Sequence, residues 1–223
     1  MLKRGFTLAE VLITIGIIGV VASLSTPAIM RNTQNAKVGP QLAKFVSTLE
    51  TGIQAICTDQ ERLYFKDIIT SSGDLTTVAK IDDIAGKFIK AKPHDASKFP
   101  DIKRLNENKD LPTGAELGTP EKYYLFPDKS ALGVVDCTLG SNEGESKVCQ
   151  IYAILPGFTN KSKLTLGKDV FAFYIDLEGN VQTPGEAGFT GGDTCEEADI
   201  LANNTSGFFC VDRISENGWK THW

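Results

Sequence analysis

The sequence predicts an α+β fold in which a long N-terminal α-helix packs on a small antiparallel β-sheet. Residues 11–24 form an apolar run. Apolar residues then recur at three- and four-residue spacing over residues 42–56, which is typical of a helix with one buried face. From residue 123 onward the pattern changes to β-branched and aromatic runs bounded by Gly, Pro and Asp, which is typical of strands.

The beginning of the chain has features of several membrane-targeting segments. Lys3 and Arg4 form a short basic head, and one carboxylate, Glu10, lies near the start of the apolar run. An acidic side chain in such a segment costs roughly 2.5–3.5 kcal/mol on insertion scales and usually marks function. A secretory signal peptide would have a small-residue cleavage site after the apolar run, but a polar segment with periodic apolar residues follows instead.

A membrane anchor fits the same segment better. Residues 6–28 supply about the twenty residues that a membrane-spanning helix needs. Basic residues concentrate on the cytoplasmic side of a membrane, so Lys3 and Arg4 predict a cytoplasmic N-terminus with the rest of the chain outside.

The order of residues at the N-terminus is more specific than a general anchor. Residues 3–10 read Lys-Arg-Gly-Phe-Thr-Leu-Ala-Glu, and an apolar helix follows. This string resembles the type IV prepilin signal, which is shared by pilins, the pseudopilins of type II secretion and the competence pseudopilins. Ala9 departs from the usual Ile or Val but leaves the cleavage site and the acid intact. The resemblance is strong only over the N-terminal segment.

The resemblance implies a role for each residue of the motif. Prepilin peptidase would cut between Gly5 and Phe6 on the cytoplasmic side, removing Lys3 and Arg4, and Phe6 would then be N-methylated. The carboxylate of Glu10 would neutralise the new amine of a neighbouring subunit and set that subunit's register, because an unpaired buried charge is very costly.

The resulting organisation has three parts: a leader peptide at residues 1–5, a helix at 6–58 and a globular α+β head at 59–223. A continuous helix over residues 6–57 would be about 78 Å long at a rise of 1.5 Å per residue. Proline removes a helical hydrogen bond, so Pro27 predicts a kink and Gly39-Pro40 a second break.

Within the head, residues 78–91 read as a short amphipathic helix, and residues 92–120 as surface loops rich in Lys, Asp, Asn, Gly and Pro. The predicted strands are residues 123–126, 132–137, 148–155 and 170–177. The aromatic residues near the C-terminus, including Trp219, are expected to pack on the sheet.

Five cysteines follow the apolar segment, at positions 57, 137, 149, 195 and 210. Export makes disulfides plausible. Cys137 and Cys149 lie on adjacent predicted strands, and Cys195 and Cys210 flank a polar segment. The resemblance supports the second pair, since many pilins close a C-terminal loop with a disulfide. Cys57 would stay buried and free, and other pairings of the five remain open.

Two acidic segments have some features of calcium loops. The first comprises Asp193, Glu196, Glu197 and Asp199, and some major pseudopilins bind calcium in a C-terminal loop. No ligand-by-ligand match is visible, so a solvated acidic loop is the favoured interpretation. The second, residues 176–180, is better explained by a hairpin turn.

Charge and motifs exclude other function classes. The precursor has 23 basic and 28 acidic side chains, a net charge of −5, and removing Lys3 and Arg4 leaves 21 against 28, or −7. An acidic protein does not favour non-specific nucleic-acid binding. The sequence has no G-x-S-x-G, no H-E-x-x-H, no C-x-x-C and no phosphate-binding loop, so we expect neither an enzyme nor a cofactor.

The sequence therefore predicts a structural subunit of a pilus-like filament, either a pseudopilin or a minor pilin. Its expected partners are copies of itself, other pilin-like subunits, prepilin peptidase, the inner-membrane assembly platform and the membrane. Type IV pili, type II secretion and competence machines all use this N-terminal design. The alternative is a single-span tethered domain outside the cytoplasm that binds or senses and never polymerises.

Overall fold

The computed structural model describes residues 7–70, 81–136, 147–190, 195, 200, 202 and 204–221. The helices are α1 (Leu8–Asp59), α2 (Phe65–Thr70) and α3 (Cys210–Glu216), with a π-helical turn at Ile84–Phe88 and a 3₁₀ turn at Ala96–Lys98. The strands are β1 (Lys92–His94), β2 (Asp101–Lys103), β3 (Lys122–Leu125), β4 (Ala131–Asp136), β5 (Lys147–Ile154), β6 (Lys163–Thr165), β7 (Val170–Asp176) and β8 (Val181–Gln182).

Six strands form an antiparallel sheet in the order β1-β3-β4-β5-β7-β8. A separate two-stranded parallel sheet pairs β2 with β6. The long N-terminal helix and the small antiparallel sheet confirm the predicted α+β fold. The four predicted strands correspond to β3, β4, β5 and β7, each within one residue at either end.

The second half of α1 packs on one face of the large sheet. Its periodic apolar residues are buried, with Leu42 and Leu49 fully so, and they contact Phe173 of β7 and its neighbours in one continuous core. The ring of Phe45 lies 6.2 Å from that of Phe173 and 5.5 Å from that of Phe126. Burial of this apolar stripe is what fixes the head to the helix.

The opposite face of the sheet is also buried, so β7 has no solvent-facing position. Tyr152 and Tyr174 on this face pack against Phe99, Phe189 and Phe208. These aromatic residues come from long connections outside the large sheet. A sheet covered on both faces explains why β7 reads as a continuous apolar run.

The prediction of a helix break at Gly39-Pro40 was wrong, because α1 is continuous through both residues. Gly39 is buried where the C-terminal segment crosses α1, and a Cβ there would overlap the backbone carbonyl of Trp219. Proline inside a helix costs about 3 kcal/mol, and tertiary packing of the following turns offsets that cost. The helix also runs through Pro27, and the kink there remains a prediction.

The prediction that residues 92–120 are only loops was also wrong. This segment contains β1, the 3₁₀ turn and β2. β1 is an exposed edge strand with Pro93 at its centre, and proline is tolerated at an edge because one side of the strand needs no hydrogen-bond donor. Three-residue strands of this kind have too little periodicity to be read from sequence. Residues 81–88 are helical, as predicted, but the helix ends at Phe88, three residues before the predicted end at residue 91. Residues 78–80 lie outside the described residues.

Candidate functional site

The candidate site is the N-terminus of α1, where Thr7 and Glu10 form a capping box. The backbone N–H of Glu10 donates to Thr7 Oγ1 at 3.2 Å. The carboxylate oxygen Oε2 of Glu10 accepts from the backbone N–H of Thr7 at 2.8 Å and from its hydroxyl at 2.9 Å. This arrangement pairs amide groups that have no partner within the helix.

The geometry leaves Glu10 with unused capacity. Within the part of the chain that the structure describes, every hydrogen bond to its carboxylate ends on Oε2. A carboxylate accepts through both oxygens, so Oε1 remains available to a donor outside α1. The side chain is exposed, which places that oxygen within reach of another molecule.

Sequence reasoning singled out Glu10 but missed Thr7. The signal was present, since Thr7-Leu-Ala-Glu10 fits the S/T-x-x-E pattern of a capping box immediately before an apolar run. Thr7 therefore has a structural function at the first turn, and it holds the carboxylate of Glu10 in a defined position.

The first half of α1 has an apolar surface that the described parts of the chain leave uncovered. Every residue from 7 to 23 is exposed, and the large side chains at positions 12, 13, 15, 17 and 18 each keep about three-fifths of their area accessible. Among the described residues, no helix carries an apolar stretch long enough to cross a membrane. An exposed apolar surface of this extent marks a contact with a partner or a lipid phase.

Several predicted site residues lie outside the described residues. These are the leader and cleavage residues Lys3, Arg4, Gly5 and Phe6, and the four acids Asp193, Glu196, Glu197 and Asp199. In the described parts of the chain there is no group of three or more His, Cys, Asp or Glu residues placed to hold a metal ion.

The second acidic segment is a hairpin turn between β7 and β8. Asp176 Oδ1 accepts the backbone N–H groups of Glu178, Gly179 and Asn180 at 2.7–2.9 Å. Its Oδ2 accepts from the side chains of Asn180 and Gln182 at 2.9 and 3.1 Å. Both carboxylate oxygens are therefore used within the turn, as the hairpin interpretation requires.

The cysteines tie the C-terminal region together. Cys195 and Cys210 form a disulfide with their Cα atoms 4.8 Å apart, and Cys210 begins α3. Cys149 is disulfide-bonded, whereas its predicted partner Cys137 lies outside the described residues. Cys57 is free and buried at the end of α1, and burial raises the pKa of its thiol.

Comparison with known proteins adds one finding. Residues 1–26 match the family model described as the prokaryotic N-terminal methylation motif. No curated protein and no solved structure is significantly similar to the chain. The matched residues include the capping box and the whole of the exposed apolar surface at residues 7–23. The N-terminus of this chain therefore carries the signal of type IV pilins and pseudopilins.

Proposed function

We propose that this protein is a structural subunit of a type IV pilus-like filament, a pseudopilin or minor pilin, assembled through the first half of α1. The observation that carries the proposal is the exposed apolar surface over residues 7–23, which begins at the Thr7–Glu10 capping box and coincides with the methylation motif. An apolar surface of this extent is unfavourable in water, whereas a bundle of helices in a filament core would bury it.

Processing comes first in this proposal. Prepilin peptidase recognises the leader with Lys3 and Arg4, cleaves between Gly5 and Phe6, and Phe6 is then methylated. Gly5→Ala is expected to slow cleavage, and Gly5→Leu is expected to block it, because a bulky side chain at the cleaved bond would not fit a site shaped for glycine. Immunoblotting for the mature size checks this, and normal cleavage of Gly5→Leu would contradict the assignment.

The carboxylate of Glu10 then registers subunits. After cleavage, the amine of Phe6 carries a positive charge into an apolar surrounding, where an unpaired charge is very costly. Glu10 Oε2 is held by Thr7, and Oε1 is free to accept from the amine of a neighbouring subunit. The capping box thus pre-positions the acid for a charge-assisted hydrogen bond between subunits.

Two substitutions of Glu10 separate charge from capping. Glutamine also serves in a capping box, so Glu10→Gln keeps the helix start and removes only the charge. Glu10→Ala removes both. We expect both variants to be cleaved normally and both to reduce filament yield strongly, measured by shearing and quantifying filaments. Wild-type yield from Glu10→Gln would refute the registering role of the charge.

Location follows from the same segment. We place the N-terminus in the cytoplasm and the head outside the inner membrane, with residues 6–28 in the membrane before assembly and the filament in the periplasm or at the cell surface afterwards. Thr14, Ser23 and Ser25 fit an apolar surrounding, because each hydroxyl donates to a carbonyl of its own helix at 2.8–2.9 Å. Its partners would be like subunits, prepilin peptidase and the assembly platform.

We further propose that the head acts without catalysis or cofactor and is stapled by Cys137–Cys149 and Cys195–Cys210. The competing function is a tethered domain that never polymerises. It predicts an uncleaved N-terminus and full tolerance of Glu10→Ala, so the Glu10 and Gly5 experiments separate the two functions.

A further inference from the structure

A half-buried carboxylate, that of Asp212, joins the C-terminal helix to the turn that follows β8. Asp212 lies in the first turn of α3, and its Oδ1 accepts the backbone N–H of Gly185 at 2.6 Å. In the same turn, the hydroxyl of Thr183 donates to Oε2 of Glu186 at 3.0 Å. A Cβ on residue 185 would lie 2.7 Å from Oδ1, so any larger residue there would displace the carboxylate from this position.

The other carboxylate oxygen of Asp212, Oδ2, is not hydrogen-bonded in this way. Oδ2 is buried and has no hydrogen-bond partner among the described residues. Among the residues that the structure describes, the ionisable groups that face Asp212 from the elements packed against it are Glu186 from the turn and Tyr174 from β7. Neither is a cation. On α3 itself, the guanidinium of Arg213 lies 3.6 Å from Glu216.

The turn that Asp212 holds covers the second face of the sheet. Residues 183–189 carry Ala187 and Phe189 into the core on that face. The ring of Phe189 lies 4.9 Å from that of Tyr174 and 5.5 Å from that of Phe208. Release of the turn from α3 would therefore also loosen the packing of Phe189 against Tyr174 and Phe208.

We propose that Asp212 is a proton-dependent latch, which holds the 183–189 turn on α3 when it is protonated and loosens the turn when it is ionised. A protonated carboxyl keeps the Gly185 bond and carries no charge. An ionised carboxylate here keeps Oδ2 out of contact with water beside Glu186, with no cation facing it among the described residues, and opening the turn would let water solvate that oxygen. A head outside the cytoplasm would meet the pH of its surroundings directly.

The sign and size of the effect follow from linkage. Burial, the largest cause, raises the pKa of Asp212 to about 6 from its ordinary value of 3.8. The closed turn therefore binds the proton more tightly than the open turn does. The closed form is favoured most below pH 4, and the preference is lost as the pH rises through 6. The opening equilibrium constant should increase on the order of 100-fold over this range.

Hydrogen exchange of the full chain in detergent micelles, followed by mass spectrometry from pH 4.5 to 7.5, tests the latch. After correction for the intrinsic pH dependence of exchange, protection of the peptide containing residues 183–189 should fall steeply as the pH rises. Asp212→Asn should give protection that does not depend on pH. The exposed Glu216→Gln variant, which removes a carboxylate from the same helix, should keep the wild-type profile.

Two results would overturn the proposal. The first is a flat wild-type profile, which needs no variant and is therefore independent of whether Asp212→Asn folds. The second is an Asp212→Asn profile with the same slope as the wild type. The proposed latch does not depend on filament assembly, so this experiment tests it independently of the proposed function.

Discussion

The two halves of α1 belong to one continuous helix but have opposite relations to the rest of the molecule. Ile13 in the first half is 63% exposed, whereas Leu49 in the second half is fully buried. The sequence of the second half is explained by the sheet on which it packs. The first half packs on none of the other described residues, so exposed apolar side chains of this extent indicate a contact with another molecule or with lipid.

The largest expected difference between the halves is in core stability. Leu49→Ala should lower the free energy of unfolding of the head by about 2–5 kcal/mol, because it leaves a cavity under the sheet. Ile13→Ala should change that free energy by less than about 0.5 kcal/mol, since its side chain touches little of the head. Urea unfolding of the full chain in detergent, followed by tryptophan fluorescence, measures both. Equal losses would contradict the division of α1 into two functional halves.

A smaller effect is expected at glycines in the two halves. Gly39→Ala should destabilise the head by about 1–3 kcal/mol, because the added methyl group meets the backbone of Trp219, so that one of the two segments must shift. Gly16→Ala is the matched control, since a Cβ there meets nothing within 4 Å and alanine favours the helix. The same unfolding assay applies, and an unaffected Gly39→Ala head would mean that the C-terminal segment does not clamp α1.

The smallest effect concerns the outer face of the second half. Lys44 Nζ lies 2.7 Å from Asp128 Oδ2, but their side chains are 65% and 37% exposed. Such pairs contribute roughly 0–1 kcal/mol. Lys44→Ala should therefore cost less than 1 kcal/mol in low salt, and the difference should vanish in 1 M NaCl, where the Debye length is about 3 Å. A salt-independent loss would show that packing of the lysine stem matters instead.

Sequence reasoning was most accurate where one pattern extends over many residues. The apolar face of residues 42–56 could be read from its helical periodicity, and the four longest strands from their β-branched and aromatic runs. The S/T-x-x-E pattern of a capping box is also visible in Thr7-Leu-Ala-Glu10, but sequence reasoning identified only the acid of this pattern. Short strands such as β1 and β8 could not be found, because two or three residues establish no period.

Other features depend on contacts between distant parts of the chain. Gly39-Pro40 predicts a helix break from sequence alone. In the structure, the backbone of Trp219 passes so close to Gly39 that a side chain there would not fit, which explains the glycine. The hydrogen bond from the backbone N–H of Gly185 to Asp212 joins residues that are far apart in sequence, so no local sequence pattern predicts it. Coverage of the second sheet face by irregular segments is invisible for the same reason.

Intact mass spectrometry of the protein from its native membrane, with sequencing of the N-terminal peptide, tests the central claim most directly. We predict a mature chain that begins at Phe6 and is heavier by one methyl group. A chain that still begins at Met1, in cells with an active prepilin peptidase, would contradict the assignment and favour a tethered domain that does not assemble.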